Sequence, residues 1–269
     1  MPRAQRAVEL FLSLGMTAGA AGGVLLHAPQ AGAQHMQPAG HTLLADGAAG
    51  GEGGEGGEAS HGAQPATSSE DQLAVLAQMQ GHLLVAEELL SRGDAKGAEP
   101  HVGHPVDELY GSLEPAIAKG QLPPFRDRLE ALRQQVRLDP STAAIAPKLT
   151  AARLAIQGAS QALSPNLASQ PTLVLAVVRQ LALTAASEYE GAVDGMQIDE
   201  TIEYQDARGF LLQADRLLSQ SVAASATSAK TLAPARERIT AMLQAVPSAK
   251  PPQRALLSVS ALERLAEGI

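Results

Sequence analysis

From Ser68 onward the sequence keeps returning to one pattern: Ala- and Leu-rich runs with apolar residues three and four positions apart, closed by Gly or Pro. The clearest run carries Leu76, Met79, Leu83, Ala86 and Leu90, one stripe of a helix. Ser68 with Asp71 makes a capping-box-like start, Asp standing in place of the usual Glu, and Gly93 marks the stop. The spacing predicts a helix over 70–92. Pro105 suits the first turn of a second helix, over 105–119 and bent at Pro115. Pro123-Pro124 opens a third to 138, and a fourth follows the Asp139-Pro140 break to 163. Further helices are expected between Pro171 and Asp194, over 199–222, and near 228–246 and 252–267. The run Leu173-Val174-Leu175-Ala176-Val177-Val178 is apolar all round and reads as the buried centre of a bundle. No segment alternates as a strand between hairpin turns.

Composition agrees. The chain has three Phe, three Tyr and no Trp, too few for the aromatic-rich strands of a sandwich or barrel. The fold class is therefore all-α: an antiparallel helical bundle over 68–269. The absence of Cys excludes a disulfide framework, thiolate zinc sites and iron–sulfur clusters. Net charge is −8, which argues against nucleic acid as a partner.

The two ends of the acidic excess differ. Residues 1–33 read as a cleaved secretory signal: Arg3 and Arg6 precede a weakly apolar stretch, and Ala31-Gly32-Ala33 offers small residues for cleavage. An uncleaved anchor is the alternative, disfavoured by the glycines of the stretch and by Glu9. No other segment is long and apolar enough to predict a membrane helix, so no stable insertion is expected after cleavage. Export of a Cys-free chain points to a periplasmic protein. Residues 34–67 read as a disordered tether, built on a Gly/Glu run from Gly50 to Glu58. Residues 72–269 carry a net charge of only −3.

The chemistry-bearing residues collect in two places. All seven His lie at or before position 104. His101 and His104, three apart just before the expected helix start at Pro105, can converge on one ion, and Glu108 lies one turn beyond His104. His82 falls beside Met79 and Ala86, near the inward stripe. The other reading is a solvated loop with surface histidines. The second cluster is acidic: residues 180–207 hold Glu188, Glu190, Asp194, Asp199, Glu200, Glu203 and Asp206 with no Lys or Arg. Glu188 lines up with Leu181 and Ala185, and Glu203 with Ala207, Phe210 and Ala214, so both point toward an apolar face. A carboxylate there needs a cation, or Arg208 or Arg216, to answer its charge. Asp206 stands three residues from Glu203 on a neighbouring track. His35, Met36, His41 and His61 form a weaker feature of the tether, read as incidental.

The clusters share a frame. Gly93 precedes His101 by eight residues and His104 by eleven; Gly195 stands at the same distances from Glu203 and Asp206. This predicts two duplicated helix-hairpin halves whose polar residues can face one another. Imidazole and carboxylate donors without thiolate suit iron or another divalent transition metal. The candidate ligands are His82, His101, His104, Glu108, Glu188, Glu203 and Asp206.

One stretch also resembles a known family. Tyr189, Ala192-Val193, Gly195, Glu203-Tyr204, Asp206 and Phe210 are similar to the extracytoplasmic helical segment of bacterial high-affinity iron permeases of the oxidase-dependent type. There an acid-Tyr pair, an Ala-Val, a Gly and a Glu-Tyr-x-acid-x3-Phe pattern recur. The 15-residue spacing from Glu188 to Glu203 agrees, while the turn glycine is shifted by one. The resemblance covers residues 188–210, and the permease's membrane helices and acidic iron motifs are absent. It implies a free-standing periplasmic relative linked to iron or similar metal uptake, with a membrane iron permease as partner. No Ser/His/Asp arrangement has motif context and no glycine loop opens a helix to cradle phosphate, so an enzyme is not expected. The functions in view are a metal-binding accessory of iron uptake, a metal-free interaction module whose acidic cluster pairs with arginines or a basic partner, and, third, a redox role on bound iron.

Overall fold

The computed structural model describes residues 65–269. The expected leader over 1–33 and the expected tether as far as 64 lie outside the described residues, as do His35, Met36, His41 and His61. Helix α1 spans Ser69–Ser91. Its start is a reciprocal box: Asp71 N donates to Ser68 Oγ at 3.0 Å and Ser68 N to the Asp71 carboxylate at 3.3 Å. Such a cap stabilises by about 1 kcal/mol. At the other end Gly93 takes φ 78°, the left-handed conformation that reverses the chain.

The second helix starts earlier than its sequence suggests. Helix α2 spans Ala95–His104, so His101 and His104 sit in its last turn and not in a loop before a helix. Asp94 supplies the start, accepting from Gly97 N at 2.8 Å. Pro105 has no N–H to give, and its ring would meet the carbonyl four residues back. The ladder widens into a π turn over Pro105–Leu109, closed by Tyr110 N–H on Pro105 O, and resumes as α3, Tyr110–Ala118.

Helices α4 (Arg126–Leu138) and α5 (Thr142–Leu163) follow, then a 3₁₀ turn at Leu167–Ser169. Helix α6 spans Pro171–Ala192 and α7 Thr201–Ala224. Between them lies a two-residue hairpin that the sequence reading did not foresee: β1 (Val193–Asp194) pairs antiparallel with β2 (Gln197–Ile198), and Gly195 at φ 63° makes the turn. Helices α8 (Ala226–Leu243) and α9 (Val259–Glu267) complete the chain. The last begins later than the expected 252, because Arg254 bridges to Gln197 and Ala255 N bonds Met196 O, which draws that stretch into extended pairing. Among the described residues no helix is long and apolar enough to cross a membrane.

The all-α antiparallel architecture rests on two apolar cores that share α1. Leu73 and Ala77 face a core built from α6, α7, α8 and α9. Val75, Leu76, Met79, Leu83 and Val85 face a second core built from α2, α3, α4 and α5. The helix buried all round is thus α1. Helix α6, whose apolar run predicted the central position, buries Val174, Val177 and Val178 but leaves Thr172 and Arg179 exposed.

Helices α1 and α7 cross with their backbones in contact. A Cβ on Gly209 would stand 2.5 Å from Gly81 O, and one on Gly81 would stand 2.8 Å from Phe210 Cδ1. Only glycine permits that approach. Gly209→Ala is therefore expected to destabilise by about 1–3 kcal/mol through overpacking. Gly111→Ala, where an added Cβ meets nothing within 4 Å, should be neutral or slightly stabilising. Urea unfolding of the two variants checks this, and equal stabilities would rule out the close crossing.

Candidate metal centre

The Gly81–Gly209 crossing brings the next residue of α1, His82, onto the face of α7 that carries Asp206. Asp206 is buried, and its Oδ1 accepts from His82 Nδ1 and from His101 Nδ1, each at 2.7 Å. His104 Nδ1 lies 3.3 Å from Asp206 Oδ2 but is not aligned for a hydrogen bond, and that buried nitrogen has no other partner. The three imidazoles pack edge to face or stacked, with centroids 5.0 to 6.3 Å apart, and Phe210 closes on His82 at 4.9 Å. One donor atom from each of His82, His101, His104 and Asp206 can be chosen so that all lie within 4.8 Å of one another.

The electrostatics follow from burial and from who faces whom. Burial alone would push the Asp206 carboxyl up, but His82, His101 and His104 outweigh it and hold the group well below the usual carboxylate range. Burial pushes His82 down, more than Asp206 raises it, so His82 stays neutral and donates its Nδ1–H. Burial also works against the His104 cation, yet Asp206, Glu108 and Glu188 more than compensate and raise it to about 9.

The remaining sequence candidates stand around His104 at the open side. His104 keeps 19% of its side chain accessible, whereas His82 and His101 keep almost none. Glu108 is exposed, 3.8 Å from His104 Nε2. Glu188 is densely surrounded yet not sealed from solvent, and burial, Asp206, Glu108 and Glu203 together lift its carboxyl well above the ordinary range. Glu203 is half-buried against Gly191 and is raised by burial, then by Glu200 and Asp206. The structure thus brings His82, His101, His104 and Asp206 to one point and leaves Glu108, Glu188 and Glu203 at its mouth. Arg208, offered by the sequence as a partner for the acids, is committed elsewhere: its Nε donates to Glu88 and its Nη1 to Val246 O, both at 2.7 Å. Among the described residues neither Glu188 nor Glu203 forms a salt bridge with an arginine.

The donor set fits a cation. Three imidazole nitrogens and a carboxylate are the ligands that iron, zinc, copper, nickel and manganese accept. Ligands bound at about 2.1 Å lie roughly 3.0–3.4 Å apart, so only small movements separate the hydrogen-bonded cluster from a coordinating one. The unpartnered His104 Nδ1 is the atom such an ion would satisfy.

Comparison with known proteins bears on the half that carries Asp206. Residues 164–269 match the family model of the iron permease-associated 4-helix bundle domain. The matched stretch contains α6, α7, α8 and α9, and the resemblance read over 188–210 falls inside it. No curated protein and no solved structure matches the chain. The bundle domain supplies Asp206, Glu188 and Glu203, while all three histidines come from helices that precede it.

Sequence reasoning missed two residues that frame the centre. Gln205 bonds His101 Nε2 at 2.8 Å, and Glu88 accepts from Arg208 and from Ala249 N at 2.9 Å. A lone Gln or Glu on a helix carries no spacing signal; only the packing reveals them. Burial pushes the Glu88 carboxyl up, but the Ala249 N–H and Arg208 outweigh it, leaving the group below its ordinary 4.5. A carboxylate lowered in the folded state contributes stability above its unfolded value and loses it as pH falls through the folded one. Glu88→Gln is therefore expected to destabilise near neutrality, and its deficit should shrink as pH drops below about 4.5. Urea midpoints near neutrality and at about pH 3 decide it; an unchanged deficit would count against the ion pair.

Proposed function

We propose that this chain is a metal-binding helical protein that handles iron or a similar divalent transition cation for uptake, in company with a membrane iron permease. The observation that carries the reading is the convergence of His82, His101, His104 and Asp206 on one point, with His104 Nδ1 near Asp206 Oδ2 but not aligned for a hydrogen bond. The match of residues 164–269 to a domain named for its association with iron permeases supports iron as the cation. The leader-like sequence over 1–33 supports a periplasmic location for this work.

In this reading His82 and His101 form the closed floor, Asp206 supplies the anionic ligand, and His104 is the ligand that meets the incoming ion. The carboxylates of Glu108, Glu188 and Glu203 draw cations toward that side. A bound cation would take the place of the proton on His104 and would favour the Glu188 carboxylate, whose carboxyl is raised by burial and then by its acidic neighbours. The alternative, a metal-free module with an arginine-paired acidic cluster, loses its internal partners, since Arg208 serves Glu88 and Val246.

Elemental analysis of the protein exported to a periplasm and purified without a His tag tests the proposal. Near-stoichiometric transition metal is expected, and a protein that is clean and binds no added Fe, Zn, Cu or Mn at micromolar concentration would sink it. The double variant His101→Ala/His104→Ala should lose the metal and keep its helical circular dichroism. Glu108→Gln and Glu203→Gln should keep the metal but take it up more slowly at low salt, the gap closing as salt screens the mouth. Uptake rates that ignore both charge changes would remove the mouth from the mechanism.

A further inference from the structure

Gln205 stands beside Asp206 on α7, yet its side chain serves a different atom. Its Nε2 donates to Ala249 O at 2.9 Å and its Oε1 lies 2.8 Å from His101 Nε2. A carbonyl only accepts, so the Ala249 contact fixes which end of the amide faces the ring. The amide oxygen also only accepts, so Nε2 carries a proton; Nδ1 carries a second, donated to Asp206, and it is this one that a bound cation would displace. With Nε2 committed, the nitrogen of His101 that faces Asp206 is Nδ1, 2.7 Å from Oδ1.

The amide is itself held from behind. Ala249 N donates to Glu88 Oε1 at 2.9 Å, and Arg208 spans Glu88 Oε2 and Val246 O. Gln205, His101 and Ala249 are all buried, so water does not compete for these bonds. The chain of contacts runs from the loop after α8, through one side chain, to one ring of the centre.

We propose that Gln205 is the positioning residue of the centre: it fixes His101 as an Nδ1 ligand and so sets the geometry in which three imidazoles and Asp206 close on a divalent transition cation. The assignment rests on the metal reading above and adds to it which nitrogen binds and what enforces the choice. A neutral amide in this place holds the Nε2 proton without drawing it off the ring. His101 therefore remains a neutral imidazole on the ion, where a carboxylate partner would make it a stronger, more anionic donor.

Two variants separate positioning from support. Gln205→Met and Gln205→Glu both lose the donor to Ala249 O, but only Gln205→Met loses the acceptor for His101. For Co²⁺, measured by chelator competition, Gln205→Met is expected to weaken binding ~10–100-fold and to alter the visible absorption of the complex, while Gln205→Glu, which keeps an acceptor on His101 Nε2 and strengthens the ring as a donor, binds at least as tightly as the parent. Equal losses in the two variants, or none in either, would overturn the proposal. The Zn²⁺-loaded parent gives a second measurement that needs no variant to fold: ring ¹⁵N resonances should show His101 metal-bound at Nδ1 and protonated at Nε2. The reverse assignment overturns the Gln205 role alone. A parent that takes up neither cation removes the metal reading and the Gln205 role together.

Discussion

A carboxylate can stay ionised inside a helical core only when its charge is answered at close range, and at Asp206 the answer comes from three imidazoles on two other helices. That arrangement requires α1 and α7 to approach more closely than side chains allow. Gly81 and Gly209 provide the approach, and His82 and Phe210, one residue beyond each glycine, pack against one another as its direct result. The two apolar cores meet along α1, so the polar centre sits where they join, and it ties the early helices to the later ones.

Much of this was legible in the sequence, for identifiable reasons. The glycines read as chain reversals take left-handed conformations that other residues avoid, Gly93 after α1 and Gly195 in the hairpin that follows α6, three residues past the end of that helix. The paired spacing after those glycines does not mark a duplication: His101 and His104 close a helix that begins two residues after Gly93, whereas Glu203 and Asp206 open a helix that follows the hairpin at Gly195, and of the acids Asp206 is the one that meets the histidines. Proline was the misleading signal: Pro105 reads as a helix start, but the chain absorbs it in a π turn within a helical stretch that begins at Ala95. The all-apolar run at 173–178 misled as well: Leu173, Leu175 and Ala176 are only partly buried, while α1 is the helix that contributes side chains to both cores. Glu203 was read as facing the interior. It lies one turn before Asp206, close enough to the start of α7 to reach solvent.

The centre is assembled from two parts of the chain with different affinities to known proteins. Asp206, Gln205 and the mouth residues Glu188 and Glu203 belong to the matched bundle domain, and the histidines belong to the helices before it. The framework behind the centre crosses the same divide: Glu88 on α1 binds both Arg208 on α7 and the backbone at Ala249. Fold and site therefore share their stabilising contacts across the boundary at residue 164, and neither half completes the polar network by itself.

That division also sorts the donors by hardness. The matched bundle brings carboxylate oxygens to this point, a set that by itself suits magnesium, calcium or manganese. The preceding helices bring only imidazole nitrogens, which move the preference toward the later first-row ions. In the proposed metal reading, the imidazoles that set the preference among cations therefore come from the segment outside the matched stretch, and the bundle alone offers only oxygen donors.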